Sequence, residues 1–373
     1  MDILLIRLSA LGDVVHGLPV AAFLKETIPG ARITWLVEPP AAPLVLNNPA
    51  VDQVIVFPKK KWQSGLANPT LWYETASGVA GFRKTLQQSG FTAALDLQGL
   101  LKSALLAVAS GAPRRFGFRG TREGADRLLT DAIDVGDYFG YGQHVISLNL
   151  KLAHQMCHRL GYAPEKPPEL GSQHPAVFPL PAPPQESLDR VENWLAVVRP
   201  EAPLAVLIPG TTWNTKIWPR EKWAELAIKL ATEDGYRLAV IGGPAETLTN
   251  AYIESEFGMR ATAGGFINLT EKTSLLDLIA LFKRTNLVVG ADTGPMHLAT
   301  AVGGVPVVGV YGSTPPGRNG PFGPQTRAVA LGLTCQPCHQ KRCPLGTIAC
   351  LKDLPVEQVH AEIRSHVSGA WRA

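Results

Sequence analysis

No apolar run in these 373 residues is long enough to cross a bilayer, so no spanning helix is expected. The opening, MDILLIRLSALGDVV, also lacks what a secretory leader needs. An acid precedes the apolar stretch, Arg7 interrupts it, and no small-residue cleavage site follows. A cytoplasmic protein is therefore expected. Cysteine is scarce, five residues with four of them near the C-terminus, which is not the pattern of a secreted disulfide framework. Excess charge is small too: a formal +4 does not suit a protein that wraps nucleic acid, although local basic clusters can still meet an anionic partner. Two cofactor signatures are missing. Without G-x-G-x-x-G after the first strand-like run, dinucleotide-dependent oxidoreduction is disfavoured; without G-x-x-x-x-G-K-[ST], the chain is not a P-loop NTPase. No short-period repeat is present.

What is there is globular. Hydrophobic residues make up 46% and charged residues 18%, and the length suits two domains better than one. DILLIRL, RITWLVE, VDQVIVF and AALDLQG have strand length, and the helical patterns VVHGLPVAAFLKETI, VAGFRKTLQQSG and LLKSALLAVASG separate them. After Gly161 the chain turns proline-dense, and the grammar then restarts with PLAVLIPG, REKWAELAIKLATEDG, RLAVIGG, LLDLIALFKRT, NLVVGAD and VPVVGVYG. Ser274 and Asp277 form a capping-box signature for one of these helices. Strand–helix alternation of this kind predicts an α/β fold of two doubly wound parallel-sheet domains. The expected division is 1–170, a proline-rich linker over 171–200, a second domain over 201–352, and a C-terminal helix over 353–373 packing back on the first half.

In open parallel sheets, ligands gather at the loops that follow the strands. Gly12-Asp13 follows the first: an acid at a helix start is either a dipole-stabilised cap or a general base. GTTWNTKIWP follows a later strand and offers Gly210, the hydroxyls of Thr211 and Thr212, and the cation of Lys216. GGPAE offers Glu246, a sugar-hydroxyl acceptor or a first-turn acid. In ADTGPMHLATA, Asp292, Thr293 and Gly294 present backbone N–H groups at a helix N-terminus, with His297 one turn in. An ordinary turn, a solvated lysine or a core histidine accounts for each loop alone. Together they favour a phosphate-bearing ligand in the second domain.

LSALGDVVHGLP, LDLQGLLKSAL, PGTTWNTKIWP and ADTGPMHLATA resemble, in order and spacing, the ADP-heptose:lipopolysaccharide heptosyltransferases, from Met1 to about Tyr311 and more loosely beyond. The resemblance implies the GT-B architecture, two Rossmann-like domains facing a central cleft. It implies transfer of heptose from ADP-heptose to the Kdo of the lipopolysaccharide inner core, with inversion and no metal required for catalysis. Asp13 becomes the general base; Thr211, Thr212, Lys216, Glu246, Asp292, Thr293, Gly294 and His297 become donor contacts. DLQGLLKS and DTGPMH resemble members that add the first heptose more than those that add the second. For an acceptor of Kdo-bearing lipid A, with its phosphates and carboxylates, the expected contacts are Lys59, Lys60, Lys61, Gln98, Arg119, Arg122 and His144, drawn partly from the basic runs KKKW and RRFGFRGTREGADR. Contact with the inner-membrane surface, peripheral and transient, goes with a lipid acceptor.

Cys335, Cys338, Cys343 and Cys350 fall in one short segment. Their spacing suits a structural zinc or iron site, reduced thiols or a disulfide; Cys157 reads as core packing. Three other readings stay open: a heptosyltransferase adding the second heptose, a different GT-B enzyme such as an epimerase or a transferase with another donor, and a non-catalytic sugar-nucleotide-binding protein. Nucleotide preference separates the middle one, and Asp13 argues against the last.

Overall fold

In the computed structural model, which describes residues 1–162, 176–198, 201–261 and 265–370, the first apolar run is a central strand. Ile3, Leu4, Leu5 and Ile6 are fully buried, with a parallel neighbour on each side. A strand covered on both faces has no reason to alternate, which is why the run is continuously apolar.

The first unit takes in residues 1–162 and 176–182. It runs β1 (Asp2–Ile6), α1 (Leu11–Thr27), β2 (Arg32–Val37), β3 (Gln53–Val56), α2 (Lys59–Ala67), α3 (Trp72–Gln88), β4 (Ala93–Asp96), α4 (Leu101–Ala109), β5 (Arg114–Phe118), β6 (Asp131–Ile133) and α5 (Val145–Arg159). The second unit runs α6 (Gln185–Ala196), β7 (Leu204–Ile208), α7 (Arg220–Thr232), β8 (Arg237–Val240), α8 (Thr247–Arg260), β9 (Phe266–Asn268), α9 (Leu275–Phe282), β10 (Leu287–Ala291), α10 (Gly294–Val302), β11 (Val307–Val310), α11 (Pro316–Asn319), β12 (Thr326–Val329), α12 (Ala349–Lys352) and α13 (Val356–Ala370). Each unit holds one six-stranded sheet, ordered β3-β2-β1-β4-β5-β6 and β12-β11-β10-β7-β8-β9, with parallel pairing throughout. Read from its other edge, the second order repeats the first. Both sheets therefore reverse direction once, at β1/β4 and at β7/β10, and those switch points are where a doubly wound fold opens a crevice.

The capping box at α9 forms as its sequence signature predicts: Ser274 Oγ accepts from the Asp277 N–H at 3.1 Å, and Asp277 Oδ2 accepts from the Ser274 N–H at 2.9 Å. Part of the proposed linker is a helix. Of the proposed linker, 171–175 and 199–200 lie outside the described residues, and 185–196 is the helix α6. Val191 and Leu195 are buried, and Arg190 reaches the buried Asp277 of α9 at 2.9 Å. The proline density upstream masks this amphipathic turn-over of the chain. The C-terminal helix packs on the core of the second unit: Val356, Val359 and Ile363 join the cluster built on α7 and β8. Trp218 Nε1 and Lys222 Nζ, at the start of α7, both donate to the Leu354 carbonyl and fix where α13 begins.

Candidate functional site

In the first unit, the loops after β1 and β4 are stitched together at the switch point. Arg7, only 6% exposed, donates to the Leu97 carbonyl and pairs with Asp13, Nη2 to Oδ1 at 2.7 Å. The other Asp13 oxygen accepts from the Ala10 N–H at 3.1 Å, half of a capping box at the start of α1. Gln98 Oε1 accepts from the N–H groups of Leu8 and Ser9, at 3.1 and 3.3 Å. Beneath them lies Asp96, which accepts from the Gln98 and Gly99 N–H groups and from Ser103 Oγ. Burial pushes its carboxyl up to about 6, against the opposing pull of those donors and of Arg7.

The remaining acceptor-side expectations sit on separate elements. Lys59 is 3.6 Å from Glu38 and Lys61 3.5 Å from Glu74, while Lys60 is exposed on α2. Arg119 is exposed after β5, and Arg122 lies over the Phe139 ring at 5.4 Å. His144 caps α5, its Nδ1 accepting from the Ile146 N–H, and its ring meets His16 of α1 edge-on at 5.5 Å. Arg114 and Arg115, part of the same basic run, belong to β5. Arg114 makes a two-pronged bond to Asp131, and Arg115 donates to the Leu128 and Ala112 carbonyls, so these two hold the sheet edge.

In the second unit, the loops after β7 and β10 converge on Asp292, which is 6% exposed. Lys216 Nζ is 2.7 Å from Oδ2, Thr314 Oγ1 donates to the same oxygen at 2.6 Å, and His297 Nε2 stands 3.2 Å from Oδ1. Thr211 Oγ1 donates to the Asp292 carbonyl at 3.1 Å. Burial opposes ionisation here, yet His297 and Lys216 hold the carboxyl far below the usual carboxylate range. Thr293 is the N-cap of α10 and Gly294 its first residue; no side chain caps that end, and Pro295 in the first turn has no N–H to satisfy. Thr211, Lys216, Asp292, Thr293, Gly294 and His297 thus form one constellation, and Thr212 is exposed beside it.

Glu246 joins from the loop after β8. Its carboxylate accepts from the Gly243 N–H at 2.7 Å, and its side chain lies where a Cβ on Gly210 or Gly242 would stand, 2.4 and 2.7 Å away. Those two glycines are required by this close approach.

The cysteine segment is fastened to the Lys216 loop. Thr215 Oγ1 donates to the Gln340 carbonyl at 2.6 Å, the His339 N–H to the Ser313 carbonyl at 2.7 Å, and the His339 ring stacks on Trp213. The Trp213 ring carries two ammonium groups, Lys216 at 4.4 Å and Lys341 at 5.4 Å from its centroid. Cys335, Cys338, Cys343 and Cys350 line one cavity of about 60 Å³. All four are free thiols, and among the described residues no group of three or more His, Cys, Asp or Glu is placed to hold a metal ion. The structural zinc or iron expected from the spacing therefore finds no support, and neither does a disulfide.

Sequence reasoning missed Arg7, Asp96, Thr314 and Lys341. Arg7 carried a signal, a lone cation inside a buried strand end, and Asp96 sits beside its partners Gln98, Gly99 and Ser103 in the LDLQGLLKS stretch; the partners of Thr314 and Lys341 lie far along the chain and leave no local trace.

Among the described residues, no helix is long and apolar enough to cross a membrane. The family model for glycosyltransferase family 9 (heptosyltransferase) matches residues 79–349. The lipopolysaccharide heptosyltransferase 1 of Pseudomonas aeruginosa is 31% identical over 352 residues, covering 92% of this chain and 87% of its own. That of Escherichia coli K12 is 28% identical, covering 87% and 91%. The structure of the E. coli heptosyltransferase WaaC with ADP superposes with a TM-score of 0.73 at 25% identity, covering 98% of this chain and 100% of that one. With a lysine–aspartate loop cluster at one switch point and an arginine-held carboxylate at the other, the chain belongs to glycosyltransferase family 9, the heptosyltransferases, and is a glycosyltransferase of the GT-B fold.

Proposed function

We propose that the protein transfers heptose from ADP-heptose to the Kdo of the lipopolysaccharide inner core, with inversion, in the cytoplasm against the inner-membrane surface. The observation that carries this reading is the Asp292 cluster at the β7/β10 switch point, where Lys216 and the open N-terminus of α10 supply positive potential for a diphosphate. An ammonium has three donors. One engages Asp292, which leaves others for phosphate oxygens.

Inversion needs a single displacement. The acceptor hydroxyl oxygen forms a bond to the anomeric carbon as the bond from that carbon to the diphosphate breaks, and ADP departs. Asp13 takes the hydroxyl proton; its carboxylate is presented at a helix start with both oxygens oriented. Lys216 and the Thr293-Gly294 helix end stabilise the negative charge that grows on the leaving diphosphate. Glu246 and His297 contact the sugar nucleotide, and Gln98, Arg119, Arg122, His144 and the lysines at 59–61 receive the anionic acceptor.

The test is turnover of ADP-heptose with Kdo-bearing lipid A, followed by ADP release and by the mass of the product. Addition of one heptose unit to Kdo is expected. Preference for a UDP- or GDP-sugar, or addition only to an acceptor that already bears heptose, overturns the assignment.

A further inference from the structure

Helices α2 and α3 form a hairpin closed by a 3-10 turn at Pro69–Leu71. Its inner side is packed: Trp62 meets Phe57 and Phe82 edge-on at 5.2 Å each, and Gly65 lies against Thr75. Its tip is not. Leu66 is 65% exposed, Trp72 57% and Tyr73 89%, with Leu71 beside them. Single exposed apolar side chains need no explanation, but four gathered at one turn do. Two of them, Trp and Tyr, are the residue types that settle at the boundary between lipid and water. A groove of about 390 Å³ opens beside them, lined by Trp62, Leu71, Tyr73 and Lys61 among others.

The charge lies behind the tip. Residues 59–88 carry five cations, Lys59, Lys60, Lys61, Arg83 and Lys84, against one acid, Glu74, as large an excess as the formal +4 of the whole chain. The lysines open α2, and the other two lie in the second half of α3. At about 1.5 Å per residue the lysines start roughly 7–11 Å, and Arg83 and Lys84 roughly 15–18 Å, along their helices from the apolar turn, with Lys59 and Lys61 also near Glu38 and Glu74. That separation matches a tip at the acyl boundary with cations at the level of lipid phosphates.

We infer that the α2–α3 hairpin is the surface on which this protein docks to an anionic bilayer, its tip inserted and its cations on the phosphates. A second copy of the chain is a poorer occupant, because two identical basic hairpins repel. The inference deepens the reading of a lipid-borne acceptor and rests on that reading for its purpose; the binding itself is measured without any transfer reaction.

The experiment is co-sedimentation of the full chain with vesicles of phosphatidylethanolamine and phosphatidylglycerol, and with vesicles of phosphatidylcholine alone. Binding is expected to the anionic vesicles, weaker to the neutral ones and weakened by 0.5 M salt. The double variant Leu66→Ser/Tyr73→Ser, at exposed positions and checked for folding by its melt, should partition about tenfold less. Arg83→Gln/Lys84→Gln should lose about tenfold on anionic vesicles only. If the wild-type chain ignores anionic vesicles, or if Leu66→Ser/Tyr73→Ser binds as well as wild type, the inference falls. It also falls if sedimentation velocity without lipid shows a dimer that the same double variant abolishes.

Discussion

Arg7 holds Asp13. The guanidinium is buried behind β1, anchored on the Leu97 carbonyl, and its Nη2 stands 2.7 Å from Asp13 Oδ1 while the Ala10 N–H takes the other oxygen. A base that must meet an incoming hydroxyl gains from such fixed aim, since small misplacements cost large factors in rate. Arg7→Met should lower kcat by about 10- to 100-fold with donor KM little changed, and Arg7→Lys should restore part of it. In an Asp13→Asn background the Arg7→Met change should add almost nothing. Full additivity of the two changes means Arg7 acts only through the fold. High turnover in Asp13→Asn alone sinks the base assignment instead.

Lys216 and Asp292 make the corresponding pair in the second unit. Lys216→Ala should weaken ADP binding by about 10- to 100-fold, the loss of a charge-assisted contact; because Asp292 keeps His297 and Thr314 as partners, its melt should fall less than that of Asp292→Ala. Asp292→Ala leaves a largely buried ammonium without its partner and should destabilise by about 3–5 kcal/mol. Calorimetric titration and thermal melts read the two separately; equal effects of both changes on both readouts contradict this division.

Gly210 offers a steric test. Gly210→Ala puts a Cβ 2.4 Å from the Glu246 side chain, and overpacking of that kind costs about 1–3 kcal/mol. Adding Glu246→Ala should relieve the clash, so the double variant melts above Gly210→Ala. A double variant that is less stable than the single one removes Glu246 as the reason for the glycine.

Asp96 gives a pH dependence with a definite sign. Its folded carboxyl titrates near 6, above the ordinary value of 3.8. The folded state therefore holds the extra proton between those values: the contribution is fully present below about pH 4 and is lost as pH rises through about 6, on the order of 3 kcal/mol in all. Asp96→Asn can keep the Gln98 and Gly99 bonds through its carbonyl, and Ser103 Oγ already has the Leu100 carbonyl as an alternative acceptor. Melting temperature in this variant should vary less between pH 4 and 7 than in wild type. An unchanged pH profile means that another group carries the dependence.

The cysteines should differ in reactivity. N–H groups of Ile348, Leu345 and Thr347 favour the Cys343 thiolate, whereas burial raises Cys350 and pushes Cys157 up to about 12. Iodoacetamide at neutral pH should label Cys343 well before Cys157 or Cys350, by peptide mass mapping. Early labelling of Cys157 would contradict its buried position in α5.

The fold was readable where its causes are local. A buried parallel strand is a continuous apolar run, and a capping box is four residues long, so β1, β7, β10 and the start of α9 stand out in the sequence. The loops after the strands were readable for the same reason, because glycine, hydroxyl and acid are conspicuous between apolar runs. What was not readable is pairing across distance. Lys216 finds Asp292, Arg190 finds Asp277, and Trp218 finds Leu354 only once the chain is folded. Hence α6 read as linker, Arg7 read as a mere interruption, and nothing in the sequence of α13 pointed to the α7–β8 core it packs on. The cysteine spacing misled in the opposite way: proximity along the chain invited a metal centre that the side-chain positions do not form.

The two sheets share one strand permutation but carry unlike residues at their switch points, a carboxylate held by arginine in one and a lysine–aspartate pair beside an open helix end in the other. Each half folds around its own core, so a core substitution is felt first within its own sheet. On the proposed division of labour, acceptor in the first half and nucleotide in the second, selection can retune one set of loops while the other passes down unchanged. A lineage built on this chain can diversify its acceptors without reinventing its donor.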